Sequence, residues 1–293
     1  MDNNKITCSI FLDLAKALNT VDPDILISKL HTYGIRGLSL DLITSYLKER
    51  QQFTRTNNTK STSRSIRLGV PQGSSLGPLF FIIYINDLPL STNLDVRLYA
   101  DDASLTFSHQ NHLDLQTTMN SELSKVSEWL FNNKLYLNHK KSSYLVFTNQ
   151  KETNNLHIKI DGIDIAPTTT TKYLGVMIDN KLSWQHHIKE LRNKLAPNNS
   201  ALYKLRGLVD RSTLKMVYYS LIYSHLQHCI SVWGTAAGVH QDQLEPGKNW
   251  KRLETQQKRA IRNICSLPPR DHTAEHFKSL ELLKIKNIYK MQL

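Results

Sequence analysis

The chain has 293 residues, 40% of them hydrophobic, with a formal net charge of +12 and a pI near 9.5. That length supports one large or two modest domains around a real core. Three cysteines without paired spacing (Cys8, Cys229 and Cys265) exclude a disulfide-built fold and point to a reducing, intracellular setting, nuclear or cytoplasmic alike. No apolar run approaches a membrane span and the amino terminus lacks a signal-peptide pattern, so no membrane role is expected.

In chain order, the first element is an apolar strand, Thr7 to Leu14, carrying the acid Asp13 near its end. Asp22-Pro23-Asp24 caps a short helix, Ile25 to Tyr33, which Gly34 ends, and a second helix covers Ser39 to Arg50. The polar stretch Gln51 to Arg67 reads as a mobile β-hairpin or loop. Glycines and prolines between Gly69 and Leu79 predict a rigid turn with exposed backbone N–H groups, suited to close approach of a nucleotide or template. The apolar run Leu79 to Ile85 then predicts a buried helix, ending before Asn86-Asp87-Leu88-Pro89. Val96 to Phe107 reads as two strands folding back on each other, with Asp101 and Asp102 at the bend. Leu113, Met119, Leu123, Val126 and Leu130 recur at helical spacing and mark a core-facing stripe. Ile158 to Ile165 alternates about an Asp-Gly turn, a hairpin signal. Beyond Ser183 helices dominate.

The charge is unevenly placed. Residues 1–180 hold 18 Lys and Arg against 17 Asp and Glu, whereas residues 181–293 hold 19 against 8. A nearly neutral first part and a basic second part suit a polyanionic partner for the latter. Lys189, Arg192, Lys194, Lys204 and Arg206 can lie along one groove of that helical region and neutralise phosphates.

Aspartates are common at bends for turn geometry alone, so Asp101-Asp102 by itself signals little. Neighbouring carboxylates repel unless a cation neutralises them. If the strands bearing Asp13 and the acid pair are sheet neighbours, three carboxylates converge where hard divalent cations bind, the layout of a two-metal phosphoryl-transfer site. His186-His187 and the group His225, His228 and Cys229 do not complete a zinc ligand set and read as packed or solvent-facing side chains.

Five blocks stand in a telling order. Phe11-Leu12-Asp13-Leu14-Ala15-Lys16-Ala17, Gly69 to Leu79, Leu98-Tyr99-Ala100-Asp101-Asp102, and Trp129-Leu130 through Asn133-Lys134-Leu135-Tyr136-Leu137-Asn138 to Lys141 come first. Lys172-Tyr173-Leu174-Gly175-Val176-Met177-Ile178-Asp179 follows, with Trp184 and His187-Ile188 behind it. Together they resemble the palm motifs and primer-gripping hairpin of reverse transcriptases from non-LTR retrotransposons, of the jockey-like and related invertebrate kind. The rest of the chain resembles that family more loosely, through Ser231-Val232-Trp233-Gly234 and Gln257-Lys258-Arg259-Ala260-Ile261-Arg262.

The resemblance implies an α+β fold, a right-hand polymerase palm whose antiparallel sheet is backed by helices, followed by a helical, thumb-like region. It divides the chain into a palm with its two hairpins over 1–180 and a basic helical part over 181–293. The implied activity is RNA-directed DNA polymerisation, with two Mg²⁺ ions (or Mn²⁺ as substitute) held by Asp13, Asp101, Asp102 and the carbonyl of Leu14. Leu18, Gln72 and Gly73 would meet the incoming nucleotide and template, Lys141 would protonate pyrophosphate, and Tyr173, Leu174 and Gly175 would press on the primer. Partners would be an RNA template, a DNA primer and deoxynucleoside triphosphates; the sequence names no protein partner.

Three departures set an alternative beside this. The family usually shows Ala-Phe-Asp where this chain has Ala17-Leu18-Asn19, and the aromatic expected at Leu18 rejects a 2′-hydroxyl. Pro23 replaces a family His, which a helix start tolerates. The first motif also begins almost at Met1, so the expectation is a partial chain lacking fingers and endonuclease. The alternative is an inactive remnant that at most binds nucleic acid.

Overall fold

Alternation builds the first strand. In β1 (Ile6–Asp13), Ile6, Cys8, Ile10 and Leu12 are buried on one face. On the opposite face the hydroxyls of Thr7 and Ser9 meet Ser108 and Thr106 across the ladder at 2.7 and 2.8 Å. The computed structural model describes residues 5–148, 156–234 and 248–293. The chain divides into two compact units, 1–169 and 170–293.

The first unit is built on a five-stranded sheet. Its other strands are β2 (Asp95–Tyr99), β3 (Asp102–His109), β4 (Ser143–Phe147) and β5 (Ala166–Pro167), in the order β5-β4-β1-β3-β2. Pairing is antiparallel except for β5, which runs parallel to β4. With β1 at the centre, the packing against its buried face is continuous with four helices: α1 (Pro23–Thr32), α2 (Leu38–Leu47), α3 (Leu76–Ile85) and α4 (His112–Asn132). The fold is thus α+β, a sheet backed by helices, with a helical region after it.

Several local expectations shift. Asp22 caps α1 from one residue outside, accepting from Asp24 N at 2.9 Å and Ile25 N at 3.3 Å, so Pro23 is its first residue. The second helix stops at Leu47 rather than Arg50, because Arg50 enters a short strand (Arg50–Gln52) paired with Arg64–Ile66. Its guanidinium binds the carbonyls of Leu47, Leu68 and Gly69. The third helix starts at Leu76 and is buried on one side only: Phe80, Phe81, Tyr84 and Ile85 face the core, while Leu76, Leu79 and Ile82 are exposed. Leu113 is also exposed, and Leu115 takes its place at the head of the buried stripe Met119, Leu123, Val126 and Leu130. Asn111 is the cap, which puts Leu113 in the solvent-facing first turn. The Asp161-Gly162 turn forms as expected, both residues at positive φ, between Lys159–Ile160 and Ile163–Asp164.

The second unit begins at Thr170, eleven residues before the expected start at 181. The hairpin β6 (Thr170–Tyr173) and β7 (Val176–Asp179) belongs with the helices. The reason is at its base: Asp179 accepts from the backbone N–H groups of Lys181, Ser183 and Trp184 at 3.1, 2.9 and 2.7 Å, which ties β7 to the start of α5 (Gln185–Leu205). Lys172 and Asp179 carry opposite charges, so moving the boundary leaves the charge division unchanged. Further helices include α6 (Arg211–Tyr218), α7 (Lys248–Ile264) and α8 (Ile285–Gln292). Buried Trp250, Leu253, Gln257, Ala260, Ile261 and Ile264 follow a helical period on α7. The wholly buried Asn199 of α5 joins it, donating to the Gln256 carbonyl at 3.2 Å and accepting at its own carbonyl from Asn263 Nδ2 at 3.0 Å.

One polar clamp holds the approach to β2. Glu122, in the middle of α4, accepts from Asn93 N at 2.7 Å, Lys125 Nζ at 2.6 Å and Thr92 Oγ1 at 2.9 Å. These partners, led by the Asn93 amide, hold its carboxyl down at about 2, below the usual 4.5. A depressed carboxyl contributes stability that is present above the unfolded value and lost as pH falls through the folded one. We expect Glu122→Ala to cost about 2 kcal/mol in urea unfolding at neutral pH. Glu122→Gln should flatten the loss of stability between pH 4.5 and 2.

Candidate active site

Strand register sets the acids. β1 and β3 pair so that Asp13 faces Asp102, while Asp102 also faces Tyr99 across the β2–β3 bend. Asp101 sits in that bend, after Ala100 at φ 52. The three carboxylates therefore share one end of the sheet. Burial first, then Asp101 and Asp13, raise the Asp102 carboxyl above its ordinary value. Among the described residues none of the three enters an ion pair, and no three His, Cys, Asp or Glu side chains close on a single point.

The backbone beside Asp13 is held from the other side. Asp13 N donates to Ser142 Oγ at 3.1 Å, Asn138 N donates to the Asp13 carbonyl at 2.8 Å, and Ala15 N to the Tyr136 carbonyl at 2.8 Å. In this bridge Leu14 stands opposite Leu137 in the non-hydrogen-bonded position, so its own carbonyl takes no part in it. Ser142 carries no functional signal in the sequence, yet its hydroxyl also donates to the Asn138 carbonyl at 3.0 Å, fixing the turn that carries the exposed Lys141. A serine after two lysines has no pattern of its own to reveal that.

The glycine-rich turn lies against the segment after β1. Gly69 N donates to the Val21 carbonyl at 2.7 Å and Val70 N to the Leu18 carbonyl at 2.9 Å. A Cβ on Gly69 would stand 2.8 Å from the Asn19 backbone, so contact there requires glycine. Several amides of this turn are thus used internally rather than offered outward: Gly77 N also binds Ser74 Oγ at 3.0 Å. Gly73 remains exposed, at φ 79. Exposed Gln72 donates from Nε2 to Asn19 Oδ1 at 2.9 Å, so the residue that departs from the family pattern orients the glutamine. Leu18 is half-buried and packs on the core.

In the second unit Tyr173 is half-buried, and Leu174 and Gly175 form the exposed tip of the β6–β7 hairpin. The basic residues of α5 separate. Exposed Lys189 and half-buried Arg192 line a cavity of about 390 Å³ with His186 and Arg252 of α7. Arg206 lines another, of about 500 Å³, with Tyr203, Arg259 and Arg262. Lys204 is exposed. Lys194 lines neither cavity and pairs with Glu190 at 2.9 Å. Helical phase explains this, since position 194 points away from 189 and 192. Arg252, Arg259 and Arg262 join because α7 packs beside α5, a pairing no local pattern announces.

A reverse transcriptase (RNA-dependent DNA polymerase) profile matches residues 1–178. The chain belongs to that family. The chain is 27% identical to the probable RNA-directed DNA polymerase from transposon X-element of Drosophila melanogaster over 85% of the chain and 28% of the relative. The corresponding protein from transposon BS of the same fly is also 27% identical, over 91% and 30%. That of mobile element jockey is 26% identical, over 83% and 28%. The jockey-like resemblance of the motif blocks is borne out, and the chain spans under a third of the length of these relatives. Among solved structures, apo telomerase from Candida Tropicalis aligns with a TM-score of 0.46 at 11% identity, covering 97% of this chain and 51% of that one. No helix among the described residues is long and apolar enough to cross a membrane.

The β6–β7 hairpin is seated by His187, whose Nδ1 accepts from Met177 N at 3.4 Å and whose ring lies 5.4 Å from that of Trp233. Burial pulls its pKa down to about 4 from 6.5, with Glu190, Lys194 and His228 as the charged or titratable groups acting on it. As pH drops below 6.5 the unfolded chain takes a proton that the folded ring refuses, so stability falls toward pH 4. Stability measured by denaturant between pH 7 and 5 should decline with acid. His187→Asn keeps an acceptor for Met177 N and removes the titration, so its decline should be shallower.

Proposed function

We propose that the chain catalyses RNA-directed DNA synthesis inside the cell for a non-LTR retroelement, extending a DNA primer on an RNA template with deoxynucleoside triphosphates. The observation that carries this reading is the register pairing Asp13 with Asp102 beside Asp101, three carboxylates with no basic partner among the described residues. Uncompensated carboxylates of this kind are a donor set for hard divalent cations. Mg²⁺ is commonly held by one or two carboxylates with water and substrate phosphates completing its shell, so the set need not close into a cage.

Two such ions, with Mn²⁺ as substitute, would supply charge neutralisation at the attacking oxygen and at the departing pyrophosphate. Asp13 and Asp101 would hold both, with Asp102 and the Leu14 carbonyl completing the ligands. The primer 3′-hydroxyl gives up its proton to solvent, and its oxygen forms the new bond to the α-phosphorus as the bond to pyrophosphate breaks. Lys141 donates the proton that pyrophosphate takes up on leaving. Gln72, held by Asn19, and Gly73 line the nucleotide and template, and Leu18 faces the sugar. Tyr173, Leu174 and Gly175 hold the primer backbone.

Two experiments test this. Mg²⁺ or Mn²⁺ should raise the melting temperature of the chain by mass action, and Asp101→Asn should remove most of that gain together with primer extension. Equal stabilisation of both proteins would remove the metal site, and nucleic-acid binding without any extension would leave the remnant reading. For the basic groove, fluorescence anisotropy with an RNA–DNA hybrid across salt should show a strong, sequence-independent dependence. Replacing Lys189, Arg192 and Arg252 together by alanine should lower the logarithmic slope by about 2 to 3, whereas Lys194→Ala should change it by less than 1 or so.

A further inference from the structure

The tip of the β6–β7 hairpin is held by a residue outside it. Leu174 and Gly175 both have positive φ, 46° and 83°, the pair of conformations a two-residue hairpin turn needs. A free hairpin tip of this kind would bend with solvent, since short two-stranded hairpins are marginal on their own. Here His228 Nε2 lies 3.0 Å from the Leu174 carbonyl oxygen. A Cβ added to Gly175 would stand 2.9 Å from the same nitrogen, so the ring closes directly over the turn. A carbonyl can only accept, which assigns the proton to Nε2, and either protonation state of the ring keeps it.

His228 is itself anchored on both sides. Its N–H donates to the Ser224 carbonyl at 3.1 Å, and its carbonyl accepts from the indole Nε1 of the buried Trp233 at 2.7 Å. Cys229 next to it turns the chain at φ 51 into the helix Ile230–Trp233. The ring is thus presented by the core of the helical unit rather than by a loose loop. The hairpin is also held lower down: Met177 N donates to His187 Nδ1, and Asp179 at its base accepts from Trp184 N. The tip, middle and base of one hairpin are each tied to the helices that follow it.

We propose that His228 is a positioning residue: it latches the Leu174-Gly175 turn to the helical unit, so that the turn meets the primer as a rigid part of that unit. This rests on the reading of Tyr173 to Gly175 as a primer contact. The latch works through the turn and touches no reacting atom.

The test uses the full chain with a primer–template carrying 4-thiothymidine at the primer 3′ end, irradiated and mapped by peptide, with affinity followed by anisotropy. His228→Met matches the reach of glutamine without a donor, and His228→Gln restores one. The wild type should cross-link within residues 170–179. His228→Met should lose about five-fold of that cross-link at unchanged affinity, the worth of one hydrogen bond, and His228→Gln should recover it. Hydrogen exchange of the 170–179 segment should rise in the Met variant and return toward wild type in the Gln variant. A cross-link and exchange unchanged in the Met variant overturn the latch alone. A wild type that never cross-links within 170–179, while still binding, overturns the primer reading and the latch with it.

Discussion

The site in the first unit depends on the register in which β1 lies between β3 and β4. Cα partners run from Ile6 with His109 to Asp13 with Asp102 on one side, and from Thr7 with Phe147 to Phe11 with Ser143 on the other. Side chains alternate along a strand, so a slip of one residue would turn Asp13 into the core and expose Leu12. Burial of Ile6, Cys8, Ile10 and Leu12 opposes that slip, and the hydroxyl pairs on the far face oppose it again. The same apolar contacts that stabilise the sheet therefore aim its acids.

The acid cluster is itself an electrostatic liability that the fold accepts. Asp102 is pushed up by burial and by its two neighbours, the opposite of Glu122 and Asp22, whose partners pull them down. Asp22 shows how a structural acid is settled: two helix amides and Lys134 at 2.5 Å outweigh its burial. Glu122 and Asp22 thus have donors that settle their charge, whereas among the described residues none of the three acids at the sheet end has a basic partner.

In the second unit a different economy operates. Two histidines and one aspartate seat a short hairpin on helices whose own faces divide their charges, Lys194 with Glu190 on one side, Lys189 and Arg192 on another. Net charge alone locates the basic half of the chain. Which cations converge follows from helical phase and from the neighbour that α5 acquires.

Strand and helix periodicity, capping at Asp22, the Asp161-Gly162 turn and the motif order were legible in the residues, because each is set within a few positions along the chain. So were the family and the acidic positions Asp13, Asp101 and Asp102. What the sequence could not carry were relations between distant segments: Ser142 under Asp13, Asn19 on Gln72, Arg252 beside Arg192, and His228 over Gly175. The exposed side of α3 and the earlier unit boundary belong with them, since burial depends on what packs against a face and not on the face itself. Local chemistry determined which residues can do the work; only tertiary packing decided which of them meet, because a contact across 50 or more residues leaves no period in the sequence for a reader to find.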